Sequence, residues 1–224
     1  MKNLRIWFLA AGVLLLSALT TQAQQKFEIT PIIGYETSGS YPVSVFSGTG
    51  GSGAVVNSLR ANASMAYGAF ADYNLSENFQ LEFLWNRNNT SYSAHDVLTQ
   101  QYFKAFNSNI DQYQFGGLYT FLGSEHRFRP YAAWGLGFTH DSNGPLTPGG
   151  LAPANRTEFA WSIGGGVKYY ISPHVGFRGD ARYLPTYGSS SNGIYCDPFG
   201  FCYTARIANF LNRGNFVGGI IFRF

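Results

Sequence analysis

Charged residues are scarce in this sequence. Asp, Glu, Lys and Arg make up 12% of its 224 residues, about half of the roughly 25% that an ordinary soluble domain carries. The 15 Lys and Arg residues are scattered and nearly matched by 12 Asp and Glu, so we expect no nucleic-acid partner. Disorder is excluded because aromatic residues reach 17% and no block of like charge occurs. This composition has few charged residues for a protein whose whole outer surface is in contact with water.

Long hydrophobic runs are missing after residue 25. The chain begins with the basic residues Lys2 and Arg5, continues with an apolar run over residues 6–16, and reaches an alanine at position 23. This order predicts a secretory signal peptide over residues 1–23, since the run is shorter than the roughly 20 residues of a membrane-spanning helix. One domain follows at residues 24–224. Without Lys2 and Arg5 it keeps 13 basic and 12 acidic residues, so no partner recognised by charge is implied.

Cysteine occurs only twice, as Cys196 and Cys202. Export permits a disulfide between them, and Pro198 and Gly200 favour the chain reversal that brings the two sulfurs together. We predict that this disulfide closes a small outer loop and contributes ~2 kcal/mol of stability. The histidines lack Cys or acidic partners at metal-ligand spacing. We therefore expect no metal and no cofactor.

What the chain does have is alternation of apolar and polar residues, the pattern of strands with two different faces. Short polar turns at 74–78, 123–126 and 172–174 interrupt it, whereas the connections between these turns are long and rich in Gly, Ser, Asn and Pro. Alternating short turns and long loops are typical of a barrel that crosses a membrane, with the short turns on the periplasmic side. We predict an all-β fold, an eight-stranded antiparallel up-and-down transmembrane β-barrel with short periplasmic turns and long extracellular loops. Its strands are predicted near residues 26–36, 61–73, 79–88, 109–122, 127–140, 156–171, 175–187 and 206–224.

Composition decides which face of the strands points outward. A soluble barrel would carry far more Lys and Glu on its outer face than this chain has, so we predict that the apolar face contacts lipid. Aromatic residues near strand ends, Tyr169 and Tyr170 among them, are predicted to form interfacial girdles. The predicted lumen charges are Glu28, Asp72, Glu82, Glu158, Lys168, Arg178, Asp180, Arg182 and Arg223. Because eight strands leave little internal space, these charges favour a lumen plugged by ion pairs over a conducting pore, with Glu82 meeting Arg178 or Arg182 across the lumen.

These features resemble the eight-stranded outer-membrane β-barrel proteins of the OmpA/OmpX type. The matching features are the signal peptide, the alternating turns and loops, and the closing strand, and the resemblance covers the whole mature chain, residues 26–224. The terminal Phe224, preceded by Phe222, Ile220 and Phe216 at alternate positions, is similar to the signal read by the bacterial outer-membrane insertion machinery. The resemblance implies the outer membrane of a Gram-negative bacterium as location. It also implies outer-membrane lipids, that machinery and an unknown extracellular ligand as partners.

The chain is also similar in size and layout to the lipid A deacylase (PagL-like) barrels, which use a His-x-Ser-Asn stretch for ester hydrolysis. Here the matching residues are His140, Ser142 and Asn143. In that family the motif lies on a late strand, whereas here it ends the predicted fifth strand. We therefore expect no enzymatic activity and predict a structural or surface-interaction role through the outer loops. In the less favoured alternative of an esterase, His140 and Ser142 would be the candidate catalytic residues. A narrow passive channel is the other alternative.

Overall fold

The computed structural model describes residues 26–42, 44–47, 56–96, 100–145, 155–188, 192–196, 202–206 and 210–224. Among these residues no helix is long and apolar enough to cross a membrane. The described strands are β1 (Phe27–Glu36), β2 (Gly39–Pro42), β3 (Ser44–Ser47), β4 (Val56–Ala61), β5 (Ser64–Asn74), β6 (Phe79–Asp96), β7 (Gln101–Thr120), β8 (Phe128–Asn143), β9 (Arg156–Tyr170), β10 (Val175–Tyr187), β11 (Asn192–Cys196), β12 (Cys202–Arg206) and β13 (Phe210–Arg223).

Eight of these strands close into a ring by antiparallel pairing. Around the ring the order is β1, β5, β6, β7, β8, β9, β10 and β13, and β13 pairs back with β1. The closing seam aligns Glu28 with Arg223 and Glu36 with Asn215. Closure removes the unpaired edges that an open sheet would expose, so the predicted eight-stranded up-and-down barrel is confirmed.

The long connections contain strands that the sequence pattern does not predict. The predicted loop over residues 89–108 is largely a continuation of the β6–β7 hairpin, paired as far as Asp96 and Gln101. Strand β4 pairs with the outer end of β6 and β2 pairs with β4, while β3, β11 and β12 form a separate three-stranded sheet. The Ser, Asn and Thr residues of these segments suggest a loop by composition. Their backbone groups are nevertheless satisfied by cross-strand pairing, which needs no apolar face.

Side chains alternate between the lumen and the outer surface along each strand. The predicted lipid-facing residues Phe83, Trp134, Ile163 and Phe177 are 41%, 51%, 56% and 50% exposed, whereas Ser162 beside Ile163 is 2% exposed. The outward positions are dominated by Phe, Tyr, Trp, Ile and Leu side chains, as a wall in contact with lipid requires. The two faces therefore have the orientation that composition predicts.

One residue of the predicted aromatic girdle lies inside the barrel. Tyr170 is buried, while its neighbour Tyr169 is exposed on the outer surface. Consecutive residues of a strand point to opposite faces, so the two tyrosines cannot both contact the membrane. The prediction for Tyr170 was therefore wrong, and this side chain belongs to the lumen.

Candidate functional site

The centre of the lumen is built around three side chains of β10. Arg178, Asp180 and Arg182 occupy alternate positions and therefore point inward together. All three are buried. A run of cation, anion and cation on one wall needs matching groups on the other walls, because isolated charges are expensive where water is excluded.

Arg178 joins carboxylates from three strands. Its Nη1 lies 3.0 Å from Asp72 on β5, and its Nη2 lies 2.5 Å from Glu82 on β6 and 3.0 Å from Asp180 on its own strand. Its Nε donates to the Tyr131 hydroxyl at 2.8 Å, and this hydroxyl donates to Asp180 at 2.5 Å. One guanidinium thus organises three acids and a tyrosine, which makes Arg178 the centre of the site.

Arg182 doubles the link between β10 and β6. Its Nη1 lies 2.7 Å from Glu82 and its Nε lies 2.8 Å from Asp180. In the ring, β6 and β10 are separated by three strands in either direction. The Glu82 carboxylate and the two guanidiniums therefore bridge opposite walls of the barrel.

Lys168 holds the layer nearer the periplasmic turns. Its Nζ lies 2.8 Å from Glu28 and 2.7 Å from Asp72, and it donates to Gln80 at 2.6 Å. An ammonium group has three N–H donors, and each of them finds an acceptor here. Lys168 is 0% exposed, so this complete set of partners is what makes its burial tolerable.

A stack of aromatic and cationic groups lies at the periplasmic end of the lumen. Arg223 lies 2.7 Å from Glu28, and the Tyr170 hydroxyl donates to the same carboxylate at 2.9 Å. The Tyr170 ring also contacts the guanidinium carbons of Arg223 and Arg129, 3.9 and 4.4 Å from its centroid. Arg129 in turn donates to backbone carbonyls of the preceding turn. Tyr170 thus contacts both cations and the acid at this end.

The structure brings eight of the nine predicted lumen charges into one connected set, here called the lumen network. Its members are Glu28, Asp72, Glu82, Lys168, Arg178, Asp180, Arg182 and Arg223. Glu158 is buried on β9 opposite Thr139, farther toward the outer end. Removing one member would leave its partners without compensation, which costs about 3–5 kcal/mol for a buried pair.

Several lumen residues were not among the predicted ones. Arg213 of β13 forms an ion pair with Glu36 of β1, and Asn86 donates to Glu36 at 3.2 Å. Tyr92 donates to Asp141 at 3.1 Å. The alternation itself could have identified two of them, since Glu36 shares the face of Glu28 and Arg213 shares that of Arg223.

The esterase candidates lie on the outer surface of the barrel. His140 and Ser142 share the outward face of β8, and the His140 Nδ1 lies 2.8 Å from the Thr157 hydroxyl. Asp111, which pairs with His140 in register, is held by Arg87 at 2.6 Å. No hydrogen bond between the His140 and Ser142 side chains occurs in this described part of β8. His140 is thus paired with Thr157 and not with Ser142.

Two predictions fall on parts of the chain that the structure does not describe. The signal peptide, residues 1–23, lies wholly in such a part. The backbone register aligns Cys196 with Cys202, but the side chains of β11 and β12 are not described, so the disulfide stays a prediction.

Among the described residues no group of three or more His, Cys, Asp and Glu side chains could hold a metal ion. Phe224 is exposed at the end of β13, and its N–H donates to the Phe27 carbonyl at 2.8 Å; its role as insertion signal stays a prediction.

Comparison with known proteins assigns this architecture to a family. The sequence matches the family described as "Outer membrane protein beta-barrel domain" over residues 7–203. The chain belongs to this outer membrane β-barrel family. Its location is therefore the outer membrane of a Gram-negative bacterium, with the short turns on the periplasmic side. No curated protein matches the sequence significantly.

Solved structures support the fold at low sequence identity. The outer membrane protein OprG from Pseudomonas aeruginosa is similar with a TM-score of 0.68 and 14% identity, covering 89% of this chain and 95% of that one. Neisserial surface protein A (NspA) gives 0.50 and 14%, covering 88% and 97%. The outer membrane protease OmpT from Escherichia coli gives 0.52 and 8%, covering 89% and 97%. Identities this low show a shared fold, which hosts many unrelated functions.

Proposed function

We propose that this protein is a non-enzymatic outer-membrane barrel whose lumen is closed by the lumen network and whose work is done at its outer surface. The observation that carries this proposal is the bridge from Glu82 to Arg178 and Arg182, which joins opposite walls at 2.5 and 2.7 Å. Ions cannot pass a bridge of that kind unless it breaks, and breaking it exposes buried charges.

The outer extensions support the second half of the proposal. Strands β6 and β7 continue well beyond the outward aromatic residues Trp85 and Tyr113, and β4 and β2 widen the same wall. The extended wall carries side chains such as Asn89, Asn107 and Ser93 on its outer face. Rigid strands that project polar groups from a membrane suit either envelope support or contact with an external partner.

Recording of the ion conductance in planar bilayers tests whether the lumen is closed. We expect no conductance steps from the wild type and discrete steps from the double variant Glu82→Ala with Arg178→Ala, which removes the bridge while keeping the charges balanced. Thr30→Val is the matched control, because Thr30 is buried in the same lumen and its hydroxyl makes no hydrogen bond. Steps from the wild type would contradict the plug, and a silent double variant would show that the bridge from Glu82 is not what closes the lumen.

A narrow passive channel is the second candidate. The lumen outside the network is lined by buried polar side chains, among them Asn86, Gln112, Gln114 and Ser162, which would suit the passage of small polar solutes. Wild-type conductance in the same experiment would favour this candidate.

The surface role needs a separate test in cells. A variant in which a four-residue turn replaces residues 91–106 keeps the barrel and loses the outer part of the hairpin. If the protein acts at the surface, a strain carrying this variant should lose adhesion to other cells or surfaces while keeping wild-type resistance to detergent. Loss of detergent resistance with unchanged adhesion would favour a structural role.

A further inference from the structure

The inward face of β8 carries only small residues in the middle of the barrel. Its three consecutive inward positions there are Ala133, Gly135 and Gly137. The strands on either side contribute polar side chains at this level: Ser162 of β9 pairs with Gly135, and Gln114 of β7 pairs with Gly137. We call the recess bounded by Gly135, Gln114 and Ser162 the lumen cradle.

Both polar side chains of the lumen cradle are buried without a partner. Gln114 and Ser162 are each 2% exposed. Among the described residues, the amide nitrogen and oxygen of Gln114 and the hydroxyl of Ser162 form no hydrogen bond. Buried polar groups in folded proteins are nearly always paired, with protein or with an ordered small molecule. Three unpaired atoms at one place therefore indicate that a molecule outside the chain occupies the cradle.

The geometry of Gly135 shows where such a molecule would sit. A Cβ atom added to Gly135 would lie 3.1 Å from Gln114 Oε1 and 3.1 Å from Ser162 Oγ. An oxygen atom near this point would be within hydrogen-bond distance of both side chains. The two unpaired groups thus converge on a position from which a side chain is missing.

Two more amide side chains extend the polar surface beyond the cradle. Gln112 occupies the next inward position of β7 and pairs in register with Asn86 of β6. Asn86 Nδ2 donates to Glu36 at 3.2 Å, but Asn86 Oδ1 and Gln112 Nε2 have no hydrogen-bond partner among the described residues. A ligand with more than one polar group would therefore find a second acceptor and a second donor on this wall.

The lumen cradle itself is electrically neutral. An ion placed between an amide and a hydroxyl would lose its hydration without gaining a countercharge. The Gln114 amide needs both an acceptor and a donor, and a hydroxyl group supplies both from one oxygen. We propose that the lumen cradle binds a neutral hydroxyl-bearing molecule, which is either a trapped water or a small polyol of the size of glycerol. Two or more polar partners are what a buried water requires.

The variant Ser162→Ala separates an occupied cradle from an empty one. If the Ser162 hydroxyl is unpaired in the protein, its removal leaves the unfolding temperature in detergent unchanged or raises it, because an unsatisfied buried group is lost. If a bound molecule satisfies this hydroxyl, the variant loses a hydrogen bond. We expect the unfolding temperature to fall by about 2–4 °C.

Substitutions of Gly135 test the position of the ligand. Gly135→Ala places a methyl group where the ligand would sit and should also lower the unfolding temperature. Gly135→Ser supplies its own hydroxyl and should lower it less. Gly218→Ala is the matched control, because a Cβ added on this outward face of β13 meets only a backbone oxygen at 3.7 Å. It should be no less stable than the wild type.

Nuclear Overhauser effects to the side-chain amide protons of Gln114 identify the molecule. They are measured on the wild type in detergent micelles with and without glycerol, and Gln114→Leu assigns the two amide signals by their loss. A trapped water gives dipolar cross-peaks at the water frequency that glycerol does not change, whereas a polyol gives cross-peaks from the carbon-bound protons of glycerol. Cross-peaks from neither, or a Ser162→Ala variant at least as stable as the wild type, would overturn the proposal.

Discussion

The periplasmic half and the outer half of the barrel are filled by different means. In the periplasmic half the lumen network and the buried rings of Tyr131 and Tyr170 occupy the interior. In the outer half the interior holds amide side chains such as Gln112 and Gln114 and an apolar cluster, here called the outer apolar cluster. Its residues are Ala61, Tyr92, Ala94, Ala105, Phe106, Ile110 and Leu211.

The difference shows how the same strands serve two environments. Where lipid surrounds the wall, polar groups point inward, and the charged ones there form ion pairs with one another. Beyond the lipid the outer face becomes polar at Arg87 and Asn89, and apolar side chains such as Phe106 fill the inside instead. Along β6 and β7 the outward face therefore changes from apolar to polar, and the inward face becomes partly apolar.

The largest expected effect is the loss of the central cation in the periplasmic half. Arg178→Ala leaves Asp72, Glu82 and Asp180 each short of one partner and should lower the free energy of unfolding by about 3–5 kcal/mol. Urea unfolding in lipid vesicles measures this. Adding Glu82→Ala should cost less than the sum of the two single changes, because the second change removes a carboxylate that has already lost one of its two guanidinium partners. Additive losses would show that these two residues do not interact.

The next effect compares two positions on the outward face of β8. Trp134→Arg places a charge within the lipid-facing wall and should cost about 2–4 kcal/mol, whereas Ser142→Arg, beyond that wall, should cost about 0–1 kcal/mol. Both follow from refolding titrations in the same vesicles. Equal costs at the two sites would mean that the boundary between lipid and water does not lie between Trp134 and Ser142.

The predicted disulfide concerns the outer half alone. Reduction, or Cys196→Ser with Cys202→Ser, should lower stability by ~2 kcal/mol through the loss of chain constraint, while leaving the lumen network intact. Thiol labelling of the unreduced protein decides whether the bond exists. Two reactive thiols would refute the prediction.

The smallest effect belongs to one hydrogen bond in the outer half. Tyr92→Phe removes the hydroxyl that donates to Asp141 at 3.1 Å but keeps the ring stacked on Phe106 at 4.9 Å. We expect a loss of about 1 kcal/mol. Phe106→Ala, which removes the stacked ring and opens a cavity, should cost about 3–5 kcal/mol. If Tyr92→Phe were the more damaging change, polar contacts rather than the outer apolar cluster would hold this half together.

Much of the candidate site follows from alternation. Arg178, Asp180 and Arg182 share a face by a period of two, and so do Glu36 and Glu28, although only the latter was predicted as a lumen residue. The outer extension does not follow from the pattern. Residues such as Ser91 and Asn107 have the composition of a loop, and only the pairing of Ser91 with Asn107 across the hairpin reveals the strands.

The sequence by itself determined the eight-stranded membrane barrel and the orientation of its two faces. Both depend on local features, because alternation sets the side of each residue and the turns set the number of strands. The contact of Glu82 with Arg178 and Arg182 was predicted and is confirmed, but only the tertiary structure decided how the other acids and bases of the lumen pair. Lys168 and Glu28 are 140 residues apart in the chain and 2.8 Å apart in the lumen, a distance set by the closing of the ring and by the reach of each side chain across it. Ring closure also places Tyr170 between Arg129 and Arg223, since the partners of an inward side chain come from strands that the sequence pattern does not bring together.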